Sequence, residues 1–364
     1  GIKGARGVGK TTLLLQHIAH HHNDALDATL YVSLDDLWFA DHSLPELVDR
    51  FVKRGGRWLY LDEVHKYPRW AQTIKNLYDD YPELHIVFTG SSLLEILTAR
   101  ADLSRRAVVY EMQGLSFREY VNLVAQTDFD PVSFRDIVAN HQELAEMIVK
   151  RVKPLKYFHT YLRTGYFQFF TEGTDSYVQR LEAVITLVLE VELPQLRHVE
   201  PGYVAKLRTL LGIIAHSAPF KPNVARLSDR IHINRQTLLA YIRYLAEAGL
   251  IRELHKQSKG IGALQKPDKI YLENTNMMFA FHEHPPEIGT VRETFLQNQL
   301  AYGHTRNYPE VGDFIVDGTF TLEVGGKNKT TKQIAGIPNS YVVADDIEYG
   351  SNTTIPLWLF GFLY

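Results

Sequence analysis

Apolar and polar positions alternate along the first 112 residues in a way that predicts strands separated by helices. Short runs rich in β-branched and aromatic residues predict strands, and longer stretches with apolar residues three and four apart predict helices. The strands are Thr29–Leu34, Trp58–Leu61, His85–Thr89 and Ala107–Tyr110, and the helices are Leu44–Arg54 and Ala71–Tyr81. Such alternation is typical of an α/β fold with a parallel sheet, which binds ligands at the carboxyl ends of its strands.

The pattern becomes mostly helical between residues 113 and 202. Val132–Arg151 and Ser176–Val191 have helical periodicity, and we interpret the whole segment as a helical lid over the ligand site. The stretch Tyr157–Phe170 contains seven aromatic residues. Packing in a core is the commoner use of such a cluster, and stacking on nucleic-acid bases is the alternative.

Residues 203–275 have the order of elements of a winged helix. Three helices precede two strands that flank a glycine-rich tip at Lys259–Gly262. The helices are Val204–His216, Val224–Arg230 and Arg235–Ala248, and the strands are Leu250–Leu254 and Lys269–Leu272. Asn234 is a good N-cap for the third helix, because its side chain can accept a hydrogen bond from an otherwise unpaired backbone N–H.

This winged-helix segment is also basic. It contains 12 Lys and Arg residues against 5 Asp and Glu residues, a net charge of +7 in a chain whose total is −3. A basic segment in an acidic protein is a candidate surface for an anionic partner. On the third helix we expect Arg235, Gln236, Thr237 and Arg243 to contact double-stranded DNA. The alternative is a winged helix that packs on a protein partner or on a second copy of the chain.

Residues 276–364 predict a small α/β unit. Val291–Tyr302 has helical periodicity, and Asp313–Val316 and Thr319–Val324 form a hairpin through Asp317-Gly318. Tyr341–Ala344 is a later strand. The longest apolar run in the chain, Ile355–Leu363, is too short to span a bilayer and predicts a buried C-terminal strand.

A phosphate-binding motif stands almost at the first residue. The pattern G-x-x-x-x-G-K-[ST] is met by Gly4, Ala5, Arg6, Gly7, Val8, Gly9, Lys10 and Thr11, and Thr12 follows. Its glycines let successive backbone N–H groups surround an anion, and the dipole of the following helix, Lys10–His20, favours the same charge. We expect Lys10 to reach the β- and γ-phosphates and Thr11 to bind Mg²⁺.

Two acids end the strand at Trp58–Leu61, about 50 residues later. Asp62 is predicted to hold Mg²⁺, and Glu63 to orient or deprotonate the attacking water. Thr89 ends the next strand and Ser91 follows, so a polar side chain there is a candidate contact for the γ-phosphate or the water. A turn that merely uses small polar residues is the alternative.

Three arginines, at positions 100, 105 and 106, follow that strand. We select Arg106 as the candidate arginine finger, acting on the γ-phosphate in its own subunit or in a neighbouring one. A solvated face is the alternative. The predicted catalytic residues are therefore Lys10, Glu63, Thr89 and Arg106.

Composition limits the class of protein. The absence of cysteine excludes disulfides and thiol nucleophiles, and it suits the cytosol. We expect neither a signal peptide nor a membrane-spanning run, and therefore a cytoplasmic protein without a membrane partner. Only Gly1-Ile2-Lys3 precedes the phosphate loop, which is short for a strand, so we expect the natural protein to begin earlier. Four histidines in Gln16–His22 predict a solvated helix end rather than a metal site.

The order of these motifs resembles a group of prokaryotic AAA-type ATPases. The stretches that carry the resemblance are GARGVGKT, LDEVHKYP, FTGSS and LSFREY. They are similar to the archaeal-type ATPases that carry a winged helix and a C-terminal domain related to restriction nucleases. The resemblance implies ATP and Mg²⁺ as cofactors, and ATP hydrolysis as the activity.

In the PD-(D/E)xK nuclease fold, an acid on the first helix, an Asp and a Glu-x-Lys motif bind Mg²⁺ and activate water. The resemblance places Glu293, Asp313 and Glu323 at the three acid positions, as a second candidate Mg²⁺ site. The lysine position is held by Gly325, and Lys327 stands two residues later. We therefore expect the nuclease fold with weak cleavage or none.

Taken together, the sequence predicts four segments: residues 1–112 as a P-loop ATPase core, 113–202 as a helical lid, 203–275 as a winged helix and 276–364 as a nuclease-like domain. The function predicted is an ATP-driven switch acting on DNA. An ATP-gated nuclease and an ATP-dependent protein scaffold without DNA binding are the alternatives.

Overall fold

The structure is a computed structural model that describes residues 1–90, 103, 105–197, 199–217, 219–257, 266–281 and 285–364. The chain divides into two compact units, Gly1–Gly114 and Leu115–Tyr364. The predicted glycine-rich tip at Lys259–Gly262, Ser91 and Arg100 lie outside the described residues. Within the described ranges, no helix combines the length and the apolar character needed to cross a membrane.

The N-terminal unit is built on a parallel sheet, which confirms the α/β prediction for this part of the chain. Its described strands are β1 (Ile2–Gly4), β2 (Thr29–Ser33), β3 (Trp58–Asp62), β4 (His85–Gly90) and β5 (Tyr110–Met112), in the order β2-β3-β4-β1-β5. Every pairing between neighbours is parallel. Strand β4 lies between β1 and β3, so the strand that leads into the phosphate loop is not adjacent to the strand that ends on the acid pair.

Helices pack on both faces of this sheet. They are α1 (Lys10–His21), α2 (Leu44–Lys53) and α3 (Trp70–Asp80), with short 3-10 turns at Asn23–Ala28, Leu37–Ala40 and Val64–Lys66. Residues of β3 alternate between the faces, as a strand requires. Leu59 and Leu61 join one core with residues of α2 and α3, whereas Tyr60 packs with Leu14 and Ile18 of α1. Because Asp62 has the same parity as Tyr60, it lies on the α1 face.

The second unit contains ten helices among its described residues. They are α4 (Phe117–Ala125), α5 (Phe134–Arg151), α6 (Pro154–Thr164), α7 (Tyr177–Leu187), α8 (Leu193–Arg197), α9 (Pro201–Ser217), α10 (Val224–Ile231), α11 (Arg235–Glu247), α12 (Thr275–Phe281) and α13 (Ile288–Gln299). A π-helical segment, Val188–Glu192, continues α7 into α8. Shorter 3-10 turns lie at Gln168–Glu172, Thr331–Ile334 and Leu357–Phe362.

Two sheets complete this unit. Strands β6 (Ile251–Leu254) and β7 (Lys269–Leu272) form an antiparallel pair with Ile251 opposite Leu272. The second sheet has the order β12-β11-β10-β9-β8, from Thr354–Pro356, Ser340–Ala344, Phe320–Gly325, Phe314–Val316 and Arg306–Asn307. Strands β10, β11 and β12 are parallel, and β9 is antiparallel to β8 and β10.

Local sequence signals account for several of these elements. The Asn234 side chain accepts a hydrogen bond from the Thr237 backbone N–H at 2.9 Å, so the predicted N-cap of α11 is confirmed. The hairpin from β9 to β10 turns at Asp317 and Gly318, whose φ angles are 50° and 67°. Positive φ at both central residues matches the right-handed twist of the flanking strands, and it explains the Asp-Gly pair.

An aromatic core links the start of the second unit to its end. Phe117 of α4 contacts Phe158 of α6 and Phe362 of the last 3-10 turn, and Phe158 also packs on Phe295 of α13. Core packing, expected for much of Tyr157–Phe170, is confirmed for Phe158, Tyr161, Tyr166 and Phe167, all buried. The C-terminal strand prediction is wrong in its extent. Only Thr354–Pro356 is strand, and Leu357–Phe362 turns into a 3-10 helix directly after Pro356.

Candidate active site

The phosphate loop connects β1 to α1, and the backbone geometry explains the glycines at positions 4 and 9. Gly9 has φ of 98°, a left-handed conformation that favours glycine, and its carbonyl accepts the N–H of Leu13 at 2.9 Å. A Cβ built on Gly4 would lie 2.5 Å from the carbonyl oxygen of Met112. Any side chain at Gly4 would therefore displace β5 from β1.

Lys10 is buried at 5% exposure and reaches back across the loop. Its ammonium donates to the carbonyl oxygens of Gly4 at 3.0 Å and Ala5 at 2.8 Å. The cation is thus held inside the curve of the loop, where a bound phosphate oxygen accepts the same protons.

The carboxylate of Asp62 is the centre of the polar contacts beside the loop. It is 2% exposed. Its Oδ2 accepts from Thr11 Oγ1 at 2.6 Å and from Tyr31 OH at 3.0 Å. Its Oδ1 accepts from the Glu63 backbone N–H at 3.1 Å and from Thr89 Oγ1. Donors from four parts of the chain therefore converge on one buried carboxylate and orient it.

Glu63 begins a turn with an uncommon backbone conformation. Its φ is 51° and its ψ is 41°, the left-handed region that a non-glycine residue rarely adopts. In this turn Oε2 of Glu63 lies 3.5 Å from Nε2 of His65. Burial, followed by the nearby Lys66, Arg6 and Lys10, lowers the pKa of His65 to about 4. The imidazole is therefore neutral at pH 7, and its contact with Glu63 is not an ion pair.

Most of the predicted residues of the first site meet at the carboxyl ends of the strands. Thr11, Asp62 and Thr89 are in direct contact, Glu63 adjoins them, and Lys10 lies in the loop that leads to Thr11. The neighbouring loop residues Gly4, Ala5, Arg6, Gly7, Val8, Gly9 and Thr12 could bind a nucleotide. Hydroxyl and carboxylate oxygens suit Mg²⁺, so Thr11 and Asp62 could hold it.

The structure does not bring Arg106 to this group. Its guanidinium pairs with Asp79 near the end of α3, with Nε to Oδ1 at 2.8 Å and Nη2 to Oδ2 at 3.0 Å. It lines a cavity together with Gly1, Trp58 and His85, which stand at the amino ends of β1, β3 and β4. Arg106 precedes β5, so it lies at the amino ends of the parallel strands, whereas Asp62 lies at their carboxyl ends.

Two residues of the site, Tyr31 and His65, were not predicted from the sequence. Tyr31 belongs to a β-rich run, where an aromatic residue is usual, and His65 lies in a turn. Only the LDEVHKYP stretch, which contains His65, offered a signal in the sequence. No local pattern marked Tyr31, because its contact with Asp62 depends on which strands are neighbours.

Two of the three acids of the second predicted metal site, Glu293 and Asp313, lie beside the same lysine. Among the described residues, no three Asp, Glu, His or Cys side chains are arranged to hold one ion. Lys269 of β7 lies between two of the predicted acids, with Nζ 3.0 Å from Glu293 Oε2 and 3.4 Å from Asp313 Oδ1. The hydroxyl of Tyr271 donates to Glu293 Oε2 at 2.7 Å. A lysine ammonium and a tyrosine hydroxyl thus contact the acids that were expected to share Mg²⁺.

The third acid, Glu323, is also paired with a lysine. Its partner is Lys329, whereas Lys327 is 62% exposed and lies 3.5 Å from Asp346. A Cβ built on Gly325 would lie 2.5 Å from Cγ of Lys329. The stem of Lys329 therefore occupies the space that a side chain at position 325 would need. Lys327, the lysine considered from the sequence, is therefore not the partner of Glu323; the turn after β10 brings the later Lys329 to the strand instead.

The predicted DNA-contacting residues lie on the outer side of α11. Arg235, Gln236 and Arg243 are exposed, and Thr237 is half-buried. Arg243 Nε is 4.0 Å from Glu247 Oε1, a weak surface ion pair. The opposite side of the helix packs inward through Leu238, Ile242 and Leu245. The helix therefore presents two arginines to solvent.

Two parts of the chain match known family models. Residues 1–121 match the family model of an AAA domain. Residues 155–283 match a domain of unknown function. No curated protein matches the chain. The AAA match, the loop and the acid pair support an AAA-type P-loop ATPase domain in the N-terminal part. An AAA domain indicates nucleotide binding and ATPase activity for residues 1–121.

Proposed function

We propose that the protein is an Mg²⁺-dependent ATPase whose nucleotide state is coupled to the binding of duplex DNA. The observation that carries the enzymatic part is the direct contact between Thr11 and Asp62 at 2.6 Å. It brings together the two oxygen ligands that an Mg²⁺–ATP complex requires, beside a loop whose lysine already points inward. Mg²⁺, when bound, would neutralise charge on the phosphates.

The roles of the chain's own groups follow from their positions. The loop N–H groups and Lys10 bind and orient the phosphates, and Thr11 and Asp62 present oxygen ligands. Glu63 is the group that holds the attacking water and accepts its proton. The imidazole of His65 contacts Glu63. Because the pKa of His65 is about 4, the imidazole is neutral at pH 7 and does not form an ion pair with Glu63. Thr89 fixes the second oxygen of Asp62.

DNA binding is assigned to residues 203–275, which we propose to be a winged helix. Helices α9, α10 and α11 followed by the β6–β7 pair support this interpretation. Exposed cations on the three helices and the turns between them include Arg208, Lys221, Arg226, Arg230, Arg235 and Arg243. Exposed cations favour a polyanion over the protein-scaffold alternative, because phosphate contacts release counterions. We further propose that residues 1–112 form the ATPase core, residues 113–202 a helical lid and residues 276–364 a nuclease-like domain.

An ATP-gated nuclease is the second candidate function. The pairing of Lys329 with Glu323 favours it, because a cation beside an acid on a strand can stabilise developing negative charge. The contacts of Lys269 with Glu293 and Asp313 oppose it, because they occupy the acids with an internal cation. We propose that this part of the chain does not cleave DNA.

Phosphate release by the purified chain tests the enzymatic proposal. The wild type should bind ATP and release phosphate when Mg²⁺ is present, and duplex DNA should change that rate. Lys10→Ala should lose nucleotide binding, because the loop loses its inward-pointing cation. Failure of the wild type to bind any nucleotide would exclude the proposal. A rate of ATP turnover that duplex DNA does not change at low salt would be consistent with the ATPase activity. It would exclude the coupling of that activity to DNA binding.

A further inference from the structure

Tyr31 contacts Asp62, although Tyr31 belongs to none of the sequence motifs. Its hydroxyl donates to Oδ2 at 3.0 Å, the oxygen that also accepts from Thr11. Tyr31 stands on β2, the neighbour of β3, and its register partner is Tyr60, two residues before Asp62. The tyrosine therefore reaches diagonally along the α1 face of the sheet to the carboxylate.

The hydroxyl of Tyr31 is a fixed donor. A carboxylate oxygen can only accept a hydrogen bond, so the hydroxyl of Tyr31 is the donor in this contact. A tyrosine ring has two side-chain torsions, and this one packs against the core formed by Leu14, Ile18 and Tyr60. The position of the donor is consequently set by the sheet and by α1.

Thr11, the other side chain that donates to Oδ2 of Asp62, is also expected to bind Mg²⁺. When nucleotide binds, Thr11 is expected to turn its oxygen toward Mg²⁺, and its hydrogen bond to Asp62 is then weakened. Tyr31 is the remaining side-chain donor to that oxygen within the described part of the chain. We propose that Tyr31 is a positioning residue that orients Asp62 for the Mg²⁺–nucleotide complex. This inference rests on the proposed ATPase function and deepens it.

The chain supplies a matched control in Tyr60. Tyr60 faces the same side of the same sheet, but its hydroxyl contacts Nδ1 of His17 at 2.8 Å rather than Asp62. Tyr31→Phe and Tyr60→Phe each remove one hydroxyl from this face and retain the ring. Only the first removes a donor from Asp62.

The test is the affinity for a fluorescent ATP analogue, measured in excess Mg²⁺ and in EDTA. A hydrogen bond to a charged group is worth about tenfold in an equilibrium constant. Tyr31→Phe should therefore bind the analogue about tenfold more weakly in Mg²⁺ and within about twofold of wild type in EDTA. Tyr60→Phe should match the wild type in both conditions. Far-UV circular dichroism checks that each variant is folded.

Three results would overturn the inference or its basis. Equal affinity of Tyr31→Phe and wild type in Mg²⁺ would exclude positioning of Asp62 by Tyr31. Equal loss in Mg²⁺ and in EDTA would indicate a structural role instead. A wild type that binds no analogue in either condition would remove the proposed function itself. If Tyr31→Phe does not fold, Tyr31→Leu decides by the same comparison, because leucine keeps an apolar side chain beside Leu14 and Ile18 but supplies no donor to Asp62, so it should lose Mg²⁺-dependent binding.

Discussion

The ammonium of Lys269 lies 3.0 Å from the carboxylate of Glu293, in a cluster that also includes Asp313 and Tyr271. The side chain of Lys269 is only 6% exposed. Although burial disfavours its charged form, Glu293 and Asp313 raise the pKa of Lys269 above its ordinary value. Burial and Asp313 likewise raise the pKa of Glu293. The positive charge of the lysine thus offsets the repulsion between two neighbouring carboxylates.

Removing this cation should destabilise the second unit. Lys269→Met keeps a similar volume but leaves two carboxylates facing each other, so we expect a loss of about 2–4 kcal/mol in the free energy of unfolding. Urea unfolding followed by far-UV circular dichroism measures it. Lys327→Met removes an exposed lysine beside Asp346 and should change stability by less than about 0.5 kcal/mol. Equal effects of the two substitutions would contradict an internal role for Lys269.

Glu63→Gln should separate nucleotide binding from turnover. The amide preserves the size of the side chain and leaves Thr11, Asp62 and Lys10 untouched, so binding of ATP with Mg²⁺ should stay within about threefold of wild type. Without the carboxylate as a base, phosphate release should fall by about 10²-fold or more. Equilibrium binding and phosphate release are measured on the same preparation. Phosphate release at the wild-type rate would exclude the role assigned to Glu63.

Charge at α11 should govern DNA affinity. Arg235→Ala combined with Arg243→Ala should weaken binding of duplex DNA and make the dependence on salt concentration less steep, by about one unit of slope for each phosphate that the protein no longer neutralises. Fluorescence anisotropy between 50 and 200 mM salt measures both quantities. Arg151→Ala on α5 is the control, since Arg151 is paired with Asp128 outside the basic segment. A salt slope that is the same in all three proteins would favour the protein-scaffold alternative.

Acidification should destabilise the N-terminal unit through His65. The pKa of His65 is about 4 in the folded protein against 6.5 for the ordinary residue. Between these two values the unfolded chain binds the extra proton, so stability that is complete above pH 6.5 is lost as the pH falls toward 4. The loss should be on the order of 2–3 kcal/mol. His65→Gln has no such proton to bind, so it should lose correspondingly less over this interval.

Tryptophan fluorescence during urea unfolding at pH 7.5 and pH 4.5 measures this difference. Three of the four tryptophans, Trp38, Trp58 and Trp70, belong to the N-terminal unit, so the signal reports mainly on it. Identical acid destabilisation of His65→Gln and wild type would show that His65 is not buried in its neutral form.

The features that the sequence determined by itself are those set by neighbouring residues. Gly4 to Thr11 form the phosphate loop because glycines permit the required backbone, and Asn234 and Asp317-Gly318 specify a cap and a turn within a few residues. Hydrophobic alternation specified the strands of the first sheet. Asp62 and Thr89 lie at the carboxyl ends of two of these strands, where their side chains are in contact. Such local chemistry needs no knowledge of the rest of the fold.

Contacts between distant residues were decided only by the tertiary structure. The strand order β2-β3-β4-β1-β5 places Tyr31 beside Asp62. Arg106 pairs instead with Asp79, at the amino ends of the strands. The turn after β10 returns Lys329 to Glu323, and β7 brings Lys269 to Glu293 across 24 positions of sequence. Periodicity specifies which face of an element is apolar, but not which element packs against it. The partners of buried charges therefore follow from strand order and register, which local sequence patterns do not encode.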